Sequence, residues 1–146
     1  MILDTSVVVA VLENEPERKR FEELIAAKDC VMSSVSYLEA SIVLLHRRGE
    51  AALASLDTWL ESAGVDVLPF TAAQARLARN AYARFGKGRH LAALNFGDCA
   101  VYALATDRAD SLLCQGLDFA RTDVRSSDDH GAGGVVWAFP FAAMLA

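Results

Sequence analysis

Cysteine is scarce in this chain. Cys30, Cys99 and Cys114 are odd in number, and none belongs to a CxxC pair. That count argues against a disulfide framework or a thiolate zinc site and fits reduced, buried thiols in a cytoplasmic protein. Long apolar runs are missing too: none reaches the length that crosses a bilayer, so no membrane partner is expected. No basic segment precedes the short apolar run at Met1, so a secretory leader is not expected. Cations are outnumbered, and the net charge of −5 argues mildly against nucleic acid as a partner. What is present is an ordinary globular composition. The chain has 146 residues with a hydrophobic fraction of 53%, which fits one domain around one core.

The positive charge that exists is unevenly spread. Gln74 to His90, QARLARNAYARFGKGRH, holds Arg76, Arg79, Arg84, Lys87 and Arg89 and no acid. A solvated helix face is the ordinary explanation of such a run.

Apolar periodicity alternates between short strands and helices. MIL is a short strand, and Ser6 to about Glu13 suits a short helix. Pro16 opens PERKRFEELIAAK at helical spacing. CVMSS, from Cys30 to Ser34, is a second strand. SYLEASIVLLHRRG is a helix closed by Gly49, and another covers about Glu50 to Ser62. VDVLPF is a third strand. Thr71 and Gln74 have capping-box spacing ahead of a helix to Phe85. GKGRH is a loop, Asn95 starts the helix FGDCAVYALATD, and Ser111 to Gly116 is a fourth strand. Strand–helix alternation predicts an α/β fold with a parallel sheet covered on both faces. SSDDHGAGG then reads as a linker, followed by the short apolar tail VVWAFPFAAMLA.

In an open parallel sheet, ligands bind beyond the C-terminal strand ends. Asp4 follows the first strand, Glu39 lies early in the helix after the second, Asp98 opens the helix leading toward the fourth, and Asp118 follows the fourth. Each has an ordinary structural role open to it. Asp4 can cap a helix, Ser36 and Glu39 have capping-box spacing, Asp98 suits a helix dipole, and Asp118 suits a turn. Four acids on one rim would nevertheless repel unless a cation joined them. An all-oxygen set suits Mg²⁺ or Mn²⁺, and such a site activates water against a phosphate. Asp4 and Asp98 are the expected direct ligands. Glu39 and Asp118 bind through water, hold a second ion or orient the nucleophile. Thr5 or Ser6 would hydrogen-bond a ligand carboxylate.

MILDTS, YLEA, LNFGDC and GLDFARTDV resemble the PIN domain, specifically the VapC toxins of bacterial toxin–antitoxin pairs. The resemblance spans residues 1–124, leaving 125–146 as the Gly-rich linker and apolar tail. It implies a three-layer α/β/α sandwich with a mostly parallel sheet of four to five strands. It also implies a Mg²⁺-dependent endoribonuclease, a VapB-type antitoxin and a homodimer, with the acidic roles on Asp4, Glu39, Asp98 and Asp118. On that reading Arg76, Arg79, Arg84, Lys87 and Arg89 contact RNA phosphates. The rivals are a metal-dependent phosphatase or DNA nuclease, and an inactive PIN scaffold that binds protein or RNA. LLCQGLDF departs from the family's LLFKGDDF at Cys114, Gln115 and Leu117, leaving Asp118 as the only acid of that pair.

Overall fold

A computed structural model describes residues 1–124; the linker and apolar tail expected over 125–146 lie outside the described residues. Four strands form one parallel sheet in the order β3-β2-β1-β4. They are β1 (Ile2–Leu3), β2 (Cys30–Ser33), β3 (Val65–Leu68) and β4 (Leu112–Leu113). Between them run α1 (Thr5–Leu12), α2 (Arg18–Ala26), α3 (Ser34–Arg48), α4 (Ala51–Ala63), α5 (Ala72–Phe85) and α6 (Phe96–Arg108). The expected α/β sandwich and parallel sheet are present.

Alternation along the strands builds the layers. Leu3, Met32 and Leu113 point to one face, where they pack with Val7, Phe21, Leu44 and Leu56 from α1–α4. Ile2, Leu112 and Cys114 point to the other, where Ala81, Phe85, Val101 and Leu104 from α5 and α6 cover them. A side-chain period of two thus splits the core into two apolar layers across the sheet.

The strand order locates the site. From β1 the chain steps to β2 and β3 on one side, then crosses to β4 on the other. The order reverses between β1 and β4, and a crevice opens beyond the strand ends at such a switch point. The register Ile2↔Leu112 and Leu3↔Leu113 brings Asp4 and the loop after β4 together there.

Helix starts follow local chemistry. Asp4 caps α1 by accepting from Ser6 N. The Thr71–Gln74 capping box forms on α5. The Ser36–Glu39 box that the spacing left open does not form. Ser33 caps α3 instead, accepting from Val35 N, so the helix begins three residues earlier and Ser36 lies inside it. Pro16 precedes α2 without joining it, because that helix starts at Arg18.

Candidate active site

The four predicted carboxylates meet electrostatically at the switch-point rim. Asp4 is buried, and its Oδ2 accepts from both the backbone N and the hydroxyl of Ser6. The Ser6 hydroxyl oxygen in turn accepts from Gln115 N at 3.0 Å. One serine thereby ties the first carboxylate to the loop that carries Asp118. Thr5 serves a different acid: its hydroxyl donates to Glu39 Oε2 at 2.7 Å. Thr5 and Ser6, expected from the sequence to hydrogen-bond an acid of the rim, hold Glu39 and Asp4 respectively.

Asp98 has two tasks. Its Oδ2 accepts from Asn95 N at 2.7 Å, and its own N donates to Asn95 Oδ1 at 3.0 Å, a complete capping box. The same carboxyl faces the cluster. Burial, then the charge of Asp4, push it up to about 7, with smaller contributions from Asp118 and Glu39. Burial raises Asp4, and Asp118 adds to the shift. Burial also raises Glu39, with Asp4 adding. Asp118 is exposed on the rim. Partial desolvation of its carboxyl raises its pKa all the same, while the Arg121 charge pulls the other way.

Gly97 is a site residue that the sequence reading missed. A Cβ built there would lie 2.6 Å from Glu39 Oε2 and 2.9 Å from Oε1. Glu39, reaching across from α3, rests on the bare backbone of α6. No local pattern marks this glycine, because its role is a close approach between helices distant in sequence. Arg121 was also missed. Its guanidinium donates to Leu91 O at 2.9 Å while its charge acts on Asp118.

The carboxylates fit a hard divalent cation in kind: all are oxygen donors, and the pKa of every one is raised. They lie in one another's fields without closing into a cage. Among the described residues, no three His, Cys, Asp or Glu side chains group tightly enough to enclose an ion. A cleft of about 770 Å³ lies elsewhere, lined by Met1, Lys28, Asp29 and Asp110 and sharing no residue with the cluster.

The five predicted basic residues divide. Arg76, Arg79, Lys87 and Arg89 are exposed. Arg84 is also exposed, but it pairs with Asp123 at 2.9 Å and lies 4.5 Å over the Phe85 ring. Its charge is therefore largely engaged within the fold.

The family model described as PIN domain matches residues 1–125, and the chain belongs to the PIN domain family. Within it the chain stands with the VapC ribonuclease toxins. It is 46% identical over 125 residues to Ribonuclease VapC30 of Mycobacterium tuberculosis, covering 85% of this chain and 95% of that one. It is equally similar to Ribonuclease VapC of Mycolicibacterium smegmatis, covering 85% of this chain and 97% of the relative. The fold resembles the crystal structure of Mycobacterium tuberculosis VapC20, a sarcin-ricin loop cleaving toxin, with TM-score 0.70 and 19% identity over 84% of this chain and 95% of that one. It also resembles VapBC2 of Rickettsia felis bound to a promoter DNA fragment, with TM-score 0.66 and 18% identity over 86% of this chain and 94% of the other.

Proposed function

We propose that this chain is a metal-dependent endoribonuclease toxin, neutralised by a VapB-type antitoxin. The observation that carries the reading is the convergence of Asp4, Glu39, Asp98 and Asp118 in a chain 46% identical to curated VapC ribonucleases. Mg²⁺ is the expected ion, with Mn²⁺ an alternative. Asp4 and Asp98 would hold it, and Glu39 and Asp118 would support it or orient the attacking water. When bound, the ion supplies Lewis acidity toward the phosphodiester and offsets the repulsion among the acids. The chain does the rest. Ser6 fixes Asp4, Thr5 fixes Glu39, and the Asn95 box fixes Asp98. Water adds to phosphorus as a rim carboxylate takes its proton, the ester P–O bond breaks, and the leaving oxygen departs as a hydroxyl after taking a proton from solvent. Arg76, Arg79, Lys87 and Arg89 draw in RNA by its phosphates, with Arg84 a weaker contributor.

The antitoxin reading is supported by structural neighbours that are themselves toxin–antitoxin complexes. A guanidinium from the antitoxin enters the cleft and pairs with the carboxylates. A homodimer is supported by the apolar stripe Leu38, Ile42 and Leu45 exposed along α3, spaced for one helix face. A cytoplasmic location suits the three free, buried cysteines. No helix among the described residues is long and apolar enough to cross a membrane.

Growth on induction tests the reading. Expression of the parent chain should arrest growth, Asp4→Asn expressed to the same level should not, and co-expression of the adjacently encoded small protein should restore growth. Arrest by Asp4→Asn equal to the parent's would contradict it.

A further inference from the structure

Two large apolar side chains stand almost fully in solvent at the edge of the carboxylate rim. Leu91 is 79% exposed and Phe96 is 76% exposed. Single exposed apolar residues are commonplace, but these two are held out by a rigid frame. The loop before α6 is closed by Lys87 N donating to Leu94 O and Leu94 N to Phe85 O, both at 3.0 Å. Arg121 clamps Leu91 through its carbonyl. Phe96 is the first residue of α6, between the capping residue Asn95 and Gly97. The residue after it carries the Glu39 carboxylate on its Cα, and the one beyond is Asp98. An aromatic ring is thus presented to water on a backbone that the site itself locks.

The surroundings are chemically specific. Exposed Lys87 and Arg89 share the loop, and Arg121 is bonded to it. Cations that track a phosphate backbone, with an aromatic face among them, form the pattern that binds single-stranded nucleic acid. The phosphates supply salt-dependent attraction, and the ring supplies stacking that every base can use. A rigid ring also loses little conformational entropy on binding.

We propose that Phe96 is a nucleobase-stacking residue: a base of single-stranded RNA lying across the carboxylate rim stacks on its ring. This rests on the ribonuclease reading and adds to it the positioning of the substrate strand. Stacking next to Asp98 sets which phosphate reaches the carboxylates, so Phe96 acts on cleavage position as well as on affinity.

The test uses the full chain in an Asp98→Asn background, which keeps the strand uncut, at a constant Mg²⁺ concentration. Binding is measured to a short oligoadenylate and to an abasic ribose–phosphate strand of the same charge, across a salt series. Phe96→Ala should weaken oligoadenylate binding about tenfold at every salt concentration, with the salt slope unchanged and binding to the abasic strand unaffected. Phe96→Trp should keep the parent's affinity, and the new indole should be quenched by oligoadenylate but not by the abasic strand. Lys87→Gln with Arg89→Gln should behave oppositely, reducing the slope by about 0.7 for each phosphate left without its cation. Parent-like oligoadenylate binding by Phe96→Ala, or an equal loss on both strands, would overturn the stacking role while leaving the ribonuclease reading intact. Loss of antitoxin binding alone would also overturn it, making Phe96 a protein contact. Failure of the parent to bind either strand would overturn both readings.

Discussion

Asp98 shows how one side chain can satisfy the fold and strain it. Its capping bonds to Asn95 need only an acceptor oxygen, which asparagine also offers. Its charge is the costly part, since burial and Asp4 push its pKa up to about 7. The folded chain therefore holds this proton more tightly than the unfolded chain does. Stability from this group is fully present at acid pH and declines as pH rises through the folded pKa. In EDTA, the melting temperature should fall between about pH 4 and about pH 7, from the ordinary to the folded pKa of this group. Asp98→Asn should flatten that fall and melt a few degrees higher at the alkaline end. Added Mg²⁺ should raise the parent there and do little for the variant. Thermal unfolding across pH measures this, and a parent that grew more stable over the same range would contradict the assignment.

The elements explain what could be read from the chain and what could not. The Thr71–Gln74 box and the helix start at Asn95 were legible because a cap is a four-residue event, although Asp98 was read only as suiting the helix dipole and not as closing a box. The placement of Asp4, Glu39 and Asp118 near strand ends was legible because strand–helix alternation dictates topology, whereas that of Asp98 depended on where its helix begins. The start of α3 was misread because Ser33 and Ser36 are chemically equivalent candidates, and only the end of β2 selects Ser33. The engagement of Arg84 by Asp123 spans 39 positions and leaves no local trace. Gly97 belongs with that last group, since its role is to let α3 and α6 meet at the rim. Gly97→Ala should preserve the fold, because alanine favours helix and the clashing atoms are the mobile end of Glu39. It should still displace that carboxylate and lower kcat by about tenfold to a hundredfold. Glu39→Asp, one methylene shorter, should be impaired alone but lose little more when combined with Gly97→Ala. Multiplicative losses in the double variant would show that the two positions act independently.

The whole molecule divides its charge. Remove the five bases of residues 74–90 and nine cations face 19 acids, so the protein is an acidic body with one basic approach to an acidic cleft. Under the proposed function, RNA phosphates would meet the basic segment first, a bound cation would offset their repulsion from the rim, and an antitoxin guanidinium would pair with the same carboxylates directly. Ser6 completes this arrangement by joining Asp4 to the chain after β4, so the two sides of the switch point are held as one unit.

The most direct measurement is cleavage of a single-stranded RNA by the purified chain, with the free divalent ion as the variable. Cleavage should stop in EDTA and return with Mg²⁺ or Mn²⁺. Asp4→Asn and Asp98→Asn should each reduce the rate by more than the roughly 10- to 100-fold typical of residues that only support a metal ligand, while both variants remain folded. Undiminished cleavage in EDTA, or by either folded variant, would contradict a carboxylate-held metal as the centre of this protein's chemistry.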